Sequence, residues 1–343
     1  MPEPALAVHV AGARARHPAA RRLHVLNGDT AAEGLRAAGV AEAMTLSADL
    51  LYEGPVTDGA SPERTRRGRA RFLAESGYGG YEECLARLTG WDRELEAFRT
   101  YDEVVLWFEH DLFDQLQLCR LLSWFASRGS GLTAISLVQA GDYLGLMAPH
   151  RLAELLEERQ PVSEAQARLA GAAWQAFCAA TPLGLEALLG FGVDVLPYLG
   201  AALRRHLEEF PGVGDGLSRT ERQILDAVAA GPVAGSALFA RVQAMEQRVF
   251  MTDVSMLRRL RGLASGPRPL LRLDPAGGGT PRWPVATITP AGLAVRDGRD
   301  DWIEMRGGID LWLGGVHLHG RTAPWRWDRR LGSLAAAPAW TPW

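Results

Sequence analysis

The most constraining feature of this sequence is the alternation of four apolar, β-rich runs with helical patterns over its first 150 residues. Between the runs, apolar residues recur at helical spacing, as in LFDQLQLCRLLSWFASRG after the third run. Apolar strands that alternate with helices are typical of a parallel sheet covered on both faces. The sequence therefore predicts an α/β fold, with a Rossmann-like domain over residues 21–150. The four runs are LHVLNGD (23–29), AMTLSAD (43–49), VVLWFEHD (104–111) and LTAISLVQAGD (132–142).

The sequence pattern changes twice more after residue 150. After a purely helical stretch, three helical segments precede two apolar runs, which is the order of a winged helix; the first opens with a capping box of Ser218 and Glu221. Seven of the eleven tryptophans lie from Trp283 onward, which predicts a packed lid and not a linker. The predicted units are a loose extension (1–20), the α/β domain (21–150), a helical segment (151–210), a winged helix (217–300) and a Trp/Gly-rich tail (301–343).

The composition indicates which cellular compartment and which kinds of partner to expect. The formal net charge is −3, which does not favour a polyanion-binding surface, and no apolar stretch reaches the length of a membrane span. The three cysteines are odd in number and far apart, which favours reduced thiols. The first residues lack the apolar core of a secretory signal. We therefore expect a cytoplasmic protein with no membrane partner.

The absence of lysine limits the chemistry. All 37 basic residues are arginine. A P-loop nucleotide site, a Schiff-base lysine and a pyridoxal phosphate (PLP) site are excluded, because each needs an ammonium group. Recognition of phosphate or carbonyl groups must therefore use arginine, backbone N–H groups, helix N-termini or a metal.

An aspartate ends each of the four β-rich runs: Asp29, Asp49, Asp111 and Asp142. In an open parallel sheet, ligands bind beyond the carboxyl ends of the strands, so we expect an acidic cleft there. Carboxylates that lie close together are costly unless a proton or cation intervenes, and magnesium often takes two carboxylates plus substrate phosphates. The sequence predicts Mg²⁺ or Mn²⁺ held by Asp29, Asp49 and Glu109, with Asp111 and Asp142 among the ligand contacts.

Helix capping is the alternative role for these aspartates. Asp111 precedes a helix and would be a favourable N-cap. Asp29 is different, because Thr30 and Glu33 form a T-x-x-E capping box that leaves Asp29 outside the helix and free to face a ligand. Gly28 would let the backbone approach that ligand closely, and the helix N-terminus behind it suits an anion, so Gly28, Asp29 and Thr30 are predicted ligand contacts.

The segment SADLLYEGPV (47–56) and the arginine run after it give two further candidates. Glu53, four residues after Asp49, is either part of a strand end and turn or a second acidic arm of the cleft. The run of arginines from 64 to 71 is typical of a solvated helix face. Without lysine, however, one or two of these arginines are the natural phosphate clamps, and we select Arg71.

The motif WFEHD contains the catalytic candidates. Glu109 and His110 end the third run without an evident capping role. Adjacent strand residues face opposite sides unless the strand has already ended. We expect His110 to carry a proton beside Glu109, a buried structural histidine being the alternative. Gln115, about one helical turn after Asp111, is a candidate neutral ligand contact.

Two features near the C-terminal end suggest binding. His317 and His319 would share one face of a strand, a spacing that can ligate metal but that lacks a third ligand in a recognisable pattern. Arg258, Arg259 and Arg261 lie on the third helix of the predicted winged helix and are candidates for phosphate contact or base readout in DNA. A protein-interaction module is the alternative for this unit.

Taken together, LHVLNGDTA, SADLLYEGPV, LWFEHDLFDQLQL, GLSRTERQIL and GGVHL with WRWD resemble a bacterial protein family catalogued as domain of unknown function 1835. The resemblance spans about residues 21–328. It implies an N-terminal Rossmann-like region with G-D, E-G-P and E-H-D-L segments, matched here by residues 28–29, 53–55 and 109–112. The family has no established activity, so the resemblance implies a fold and no mechanism.

These observations support two functional hypotheses. The first is a small phosphorylated ligand or nucleotide bound with a divalent cation in the acidic cleft, with phosphoryl hydrolysis or transfer as the chemistry. The second is a ligand-sensing regulator or scaffold, in which the winged helix binds DNA or a protein partner.

Overall fold

The computed structural model describes residues 20–40, 42–56, 61–275 and 283–336. Most of the predicted N-terminal extension and residues 337–343 of the tail therefore lie outside the described residues. Within the described ranges the chain is mixed α/β, and every helix is too short or too polar to cross a lipid bilayer. Two short 3-10 helices lie at Ala97–Thr100 and Leu144–Leu146.

The strands are β1 (Arg22–Leu26), β2 (Ala43–Leu46), β3 (Gly54–Pro55), β4 (Glu103–Phe108), β5 (Ala134–Gln139), β6 (Gln160–Pro161), β7 (Val233–Ala234), β8 (Leu271–Asp274), β9 (Val285–Ile288), β10 (Ile309–Gly314), β11 (Val316–Gly320), β12 (Trp325–Asp328) and β13 (Ser333–Ala336). The helices are α1 (Asp29–Ala37), α2 (Pro62–Glu75), α3 (Tyr81–Glu96), α4 (Leu112–Arg128), α5 (Pro149–Glu158), α6 (Glu164–Cys178), α7 (Leu183–Phe191), α8 (Leu199–Leu207), α9 (Arg219–Ala227), α10 (Gly235–Gln243), α11 (Asp253–Leu263), α12 (Pro290–Arg296) and α13 (Trp302–Met305).

The main sheet has the strand order β2-β1-β4-β5-β6. Strands β2, β1, β4 and β5 are parallel, which confirms the parallel sheet predicted from the four β-rich runs, and β6 is a short antiparallel addition. Strand β2 is added on one side of β1 and β4 on the other. Such a switch point opens a crevice at the carboxyl ends of the two central strands. Here those ends are residues 27–29 and 109–111.

Helices cover both faces of the sheet, as strands without a polar face require. On one face, Leu35 of α1 and Leu152 of α5 belong to the same buried cluster as Trp107 of β4. On the other face, Leu106 of β4 belongs to the larger core with Leu121 of α4. Strand β4 is therefore enclosed on both sides, so any ionisable group that follows it begins in a dehydrated environment.

The two helices that flank the switch point begin differently. Asp111 caps α4, because its Oδ1 accepts hydrogen bonds from the backbone N–H groups of Phe113 (2.8 Å) and Asp114 (3.2 Å). The expected capping role of Asp111 is thus confirmed. Helix α1 starts at Asp29 with Gly28 as its N-cap and with no side-chain cap.

The predicted capping box of Thr30 and Glu33 is wrong. The helix starts two residues earlier than the box requires, so Thr30 is already the second residue of α1. A hydroxyl at that position follows the N-cap and cannot cap the N–H groups of the first turn. Asp29 therefore lies inside the helix, contrary to expectation.

The C-terminal tail is part of the larger core. Strands β10 and β11 form an antiparallel hairpin, and β12 and β13 form another. Strand β10 also pairs in parallel with β3 through Leu313 and Gly54. Gly54 has a φ of +74°, and a Cβ there would lie 2.5 Å from the ring of Phe72, so glycine is required at this position. Leu318 and Trp327 are buried in the same core as α4.

Residues 217–302 contribute a second core. Helices α9, α10 and α11 pack with a three-stranded antiparallel sheet of order β7-β9-β8, so the predicted helices and paired strands are present and β7 adds a short third strand. Ser218 and Glu221 form the predicted capping box of α9. Helix α11 meets the N-terminal unit, where the Tyr52 and Tyr78 hydroxyls lie 3.0 Å and 2.7 Å from the Ser255 hydroxyl.

Candidate functional site

Three carboxyl groups converge where β4 leads into α4. Glu109 and Asp111 follow the strand, and Asp114 lies in the first turn of the helix. We call Glu109, Asp111 and Asp114 the acidic cluster. One carboxylate oxygen from each residue lies within 4.8 Å of the others, and all three side chains are buried. This arrangement can hold a metal ion, and it lies at the switch point between β1 and β4.

Neutral hydrogen-bond donors hold the acidic cluster in place. Asp114 accepts from the Asn27 amide at the end of β1 (2.7 Å) and from the backbone N–H of Glu109. Glu109 accepts from the backbone N–H of Leu144 (2.7 Å), which follows β5. Within the described residues, no arginine forms a hydrogen bond or ion pair with any of the three carboxyl groups. The cluster therefore has neutral donors around it but no directly bound cationic side chain.

Burial raises the pKa of every carboxyl group in the acidic cluster. The pKa of Glu109 is raised to about 7, first by burial and then by the carboxylates of Asp111 and Asp142. Burial raises the pKa of Asp111 to about 6. The pKa of Asp114 lies well above its ordinary value because of burial and, after that, the charges of Asp111 and Glu109. At neutral pH the cluster therefore retains protons, which a bound divalent cation would displace.

Gln115 places an unpaired oxygen beside the acidic cluster. Its side chain is fully buried, and its Nε2 donates to the backbone carbonyl of Glu109 (2.7 Å). Its Oε1 is buried without a hydrogen-bond partner among the described residues. A buried amide oxygen without a partner costs about 1–3 kcal/mol, and amide oxygens are ligands for hard cations. The donor set next to Glu109 is thus entirely oxygen, which fits Mg²⁺ or Mn²⁺.

His110, between Glu109 and Asp111 in the sequence, lines a cavity of about 510 Å³. Its ring contacts those of Tyr143 and Tyr198, with centroid distances of 5.0 Å and 6.0 Å. Burial and the charge of Arg248 lower the pKa of His110, so the imidazole is neutral at pH 7, and its Nδ1 has no hydrogen-bond partner among the described residues. His110 and Leu112 line this cavity, whereas the three carboxyl groups do not.

The segment between α10 and α11 reaches this site. Arg248 donates from Nη1 to the backbone carbonyl of His110 (3.0 Å), and its guanidinium lies over the ring of Tyr198 (5.2 Å). The hydroxyl of Tyr143 donates to the backbone carbonyl of Val249 (3.0 Å). This segment therefore contributes a cation next to His110 and a hydrogen-bond acceptor for Tyr143.

The other residues predicted at the switch point are more exposed. Gly28 is half-buried, and Asp29 and Thr30 are exposed in the first turn of α1. Asp142 is exposed after β5, where its Oδ1 accepts from the backbone N–H of Tyr143 (2.8 Å). The negative charge of Asp142 raises the pKa of Glu109. Asp29 belongs to neither of the groups of possible metal ligands among the described residues.

Asp49 and Glu53 are paired with arginine and are not part of the acidic cluster. Arg69, itself buried, binds both carboxylate oxygens of Asp49, with N–O distances of 2.7–3.2 Å. Glu53 is buried and forms an ion pair with Arg258 (3.0 Å). The predicted clamp Arg71 lies on the exposed side of α2. The arginine run thus contributes one buried structural cation, at a different position from the one selected.

Two of the three arginines on α11 that were predicted to contact nucleic acid form ion pairs within the protein. Arg258 pairs with Glu53, and Arg259 pairs with Glu209 (2.9 Å), while Arg261 is exposed. Arg259 belongs to a buried arginine–glutamate network in which Arg205 binds Glu209 and Glu246, both at 2.7 Å. This network consists of Arg205, Glu209, Glu246 and Arg259. Two of the three arginines proposed for DNA contact therefore hold the two cores together.

The sequence-based prediction missed Asp114, Asn27 and Arg248. Asp114 has a recognisable signal, because it is the single acidic residue of α4 and lies three positions after the capping aspartate. Asn27 had a weaker one, its position at the end of β1. Arg248 had none, since its contact with His110 joins residues 138 positions apart.

Comparison with known proteins provides no family for this chain. No protein-family model matches it, and no curated protein matches it.

Proposed function

We propose that the acidic cluster binds Mg²⁺ or Mn²⁺ and that the protein uses this ion to act on a small phosphorylated ligand or nucleotide. The observation that carries the proposal is three buried carboxyl groups with ligand atoms within 4.8 Å of one another and, among the described residues, no arginine bound to them. Like charges at this separation require protons or a cation. Glu109, Asp111 and Asp114 would hold the ion, with the Gln115 amide oxygen nearby.

The surrounding groups support phosphoryl hydrolysis or transfer as the chemistry. A bound divalent cation would neutralise charge on phosphoryl oxygens. His110 is neutral at pH 7 and lines the neighbouring cavity, so it is suited to accept a proton at its ring. Arg248 and Arg204 line the same cavity and replace Arg71 as the proposed anion clamps.

Calorimetric titration of the full chain with Mn²⁺ tests the metal site. We expect one Mn²⁺ site that Asp114→Asn weakens by about tenfold or more, since neutral asparagine keeps the shape but loses the charge. His150→Gln, at an exposed position, is the matched surface control. Absence of Mn²⁺ binding at millimolar concentration, or equal binding by Asp114→Asn and wild type, would rule out the site.

Phosphate release tests the chemistry separately. Mixtures of nucleoside mono-, di- and triphosphates are incubated with the protein and Mn²⁺, and inorganic phosphate is measured. We expect release by wild type and loss of release in His110→Gln with Mn²⁺ binding retained. A protein that binds Mn²⁺ but turns over no phosphorylated compound would leave the metal site and exclude the enzymatic part of the proposal.

A second candidate is a ligand-sensing regulator or scaffold. It is supported by the contacts of Arg248 and Val249 with His110 and Tyr143, which link the segment before α11 to the site. In this proposal, ligand binding at His110 alters the C-terminal unit, which meets DNA or a protein. Hydrogen exchange over residues 244–263, with and without Mn²⁺ and nucleotide, should then change. Unchanged exchange, together with no salt-dependent DNA binding by the full chain, would reject the DNA-binding version.

We also propose that the N-terminal unit is Rossmann-like and that the unit with the second core is a winged helix. The parallel order β2-β1-β4-β5 supports a Rossmann-like N-terminal unit, and three helices with a small antiparallel sheet support a winged helix. The resemblance to domain of unknown function 1835 is also proposed, on segments that include residues 28–29 and 109–112 at the switch point. An experimental structure of this chain and of an undisputed family member, superposed at these segments, would test both.

A further inference from the structure

A second group of possible metal ligands lies on the hairpin of β10 and β11, far from the acidic cluster in sequence. Asp310 lies on β10, and His317 and His319 lie on β11. We call these three residues the hairpin site. All three are exposed, and one ligand atom from each lies within 4.8 Å of the others. The sequence supplied only the two histidines, because the third donor comes from the neighbouring strand.

The strand register brings the three side chains to one face. Asp310 is directly opposite His319, and Trp312 is directly opposite His317, so Asp310 is the diagonal neighbour of His317. The Nε2 of His317 lies 2.8 Å from Asp310 Oδ1, and the Nδ1 of His319 lies 3.8 Å from Asp310 Oδ2. A hydrogen bond between His317 and Asp310 explains the first of these distances. It does not explain why the imidazole of His319 also lies close to Asp310.

The hairpin is a rigid support for these donors. Its other face is anchored in the larger core by Leu313 and Leu318, which are almost completely buried. The ring of Trp312 stacks on the ring of His317, with a centroid distance of 4.1 Å and an angle of 6° between the planes. Since this contact fixes the imidazole orientation, little side-chain freedom remains to be lost when a metal binds.

We propose that Asp310, His317 and His319 bind a divalent transition-metal ion, with Zn²⁺ as the ion that the donors fit best. Two imidazole nitrogens and one carboxylate oxygen suit borderline-soft ions such as Zn²⁺, Ni²⁺ and Cu²⁺. Mg²⁺ prefers oxygen ligands in octahedral geometry, which the acidic cluster offers and the hairpin site does not. Three protein ligands on an exposed face leave at least one coordination position for water or a small ligand.

Calorimetric titration of the tag-free full chain with Zn²⁺, in millimolar Mg²⁺, tests this site. We expect one Zn²⁺ site that His317→Gln and His319→Gln each weaken by at least about tenfold, since loss of even an indirect partner costs about that much. Asp310→Asn should weaken it less. His150→Gln, another exposed histidine, and Asp114→Asn should leave Zn²⁺ affinity unchanged.

Tryptophan fluorescence gives a second reading of the same site. Because Trp312 stacks on His317, Cu²⁺ bound there should quench its emission. Trp312→Phe should remove that quenching while Cu²⁺ is still bound. Thermal unfolding in EDTA checks that each variant folds, which we expect for exposed positions.

Three results would overturn the proposal. They are no Zn²⁺ binding at up to millimolar concentration, binding that survives His317→Gln together with His319→Gln, and quenching that is the same in Trp312→Phe. Because these measurements do not involve the acidic cluster, their failure would leave the proposed function untouched. Loss of Mn²⁺ binding in Asp114→Asn would, in turn, leave the hairpin site untouched.

Discussion

The acidic cluster and the arginine–glutamate network are both buried, yet the pKa of Glu109 in the first is raised and the pKa of Glu209 in the second is lowered. In the network, Arg205 and Arg259 lower the pKa of Glu209 to about 2, although burial alone would raise it. In the acidic cluster, the pKa of Glu109 is raised to about 7. The two regions differ in the groups that contact their carboxylates. Among the described residues, arginines pair with the glutamates of the network, whereas only neutral groups donate hydrogen bonds to the acidic cluster. A buried acid paired within the fold serves structure, and one left without a cation indicates a ligand from outside.

The largest effect is expected in the network. Glu209→Gln should lower the free energy of unfolding by about 3–5 kcal/mol, because Arg205 and Arg259 lose a shared counter-charge in a buried position. Urea denaturation measures this change. Arg261→Gln, exposed on the same helix as Arg259, is the control and should stay within about 0.5 kcal/mol of wild type. Equal effects of the two substitutions would contradict a structural role for the network.

The next effect concerns pH and the acidic cluster. Folded Glu109 has a pKa near 7 against an ordinary 4.5, so in this window the folded chain holds a proton that the unfolded chain has released. Stability of the metal-free protein should therefore decrease by roughly 3 kcal/mol as pH rises from about 4.5 to about 7 through this group, at about 1.4 kcal/mol per pH unit. Mn²⁺ should restore the loss at pH 8.

Glu109→Gln isolates this contribution. His24 and His206, whose pKa values burial lowers to about 4, add stability as pH rises to about 6.5, and they do so equally in both proteins. Denaturation in EDTA across the pH range should show wild type losing stability relative to Glu109→Gln. Parallel curves for the two proteins would mean that Glu109 is ionised in the folded state and needs no cation.

The third prediction compares the contributions of Glu109 and Asp49 to Mn²⁺ affinity. Both are buried acids that follow strands. Glu109→Gln should weaken Mn²⁺ binding by about tenfold or more, or about 1.4 kcal/mol. Asp49→Asn should leave the affinity unchanged, because Arg69 already occupies both carboxylate oxygens of Asp49. Calorimetric titration measures both. A loss of Mn²⁺ affinity in folded Asp49→Asn would extend the metal site to β2 and return Asp49 to its predicted role.

The smallest effect is expected at Asp29. Because Asp29 is exposed in α1, Asp29→Asn should change Mn²⁺ affinity by no more than about twofold and unfolding free energy by less than about 0.5 kcal/mol. The same titration and denaturation experiments measure both. A tenfold loss of affinity would place Asp29 at the ion after all.

The sequence predicted the parallel sheet and the edge at which the acidic cluster lies. Glu109 and Asp111 could be found because they follow a wholly apolar run, where charge is unexpected. Asp49 could not be distinguished from them, since its partner Arg69 reaches it only when α2 folds back on the loop after β2. Asp310 was missed for a similar reason, because only the register of β10 and β11 places it opposite His319 and diagonal to His317.

The start of α1 shows a different limit. Two helix starts two residues apart were compatible with the local sequence, and the chain uses the earlier one, with Gly28 as the N-cap. This two-residue difference moved Asp29 from a loop facing the cleft onto the helix. Local patterns therefore located the site to within a turn of helix but not the side chains that form it.

The pairing of β10 with β3 has a consequence for synthesis on the ribosome. Leu318 and Trp327 belong to the same core as α4, so about two hundred residues must be translated after α4 before that core is complete. Until then, the nascent N-terminal half exposes apolar surface that its own residues cannot cover. This half should therefore depend on chaperones during elongation, and a stalled ribosome should present it as a substrate for proteolysis.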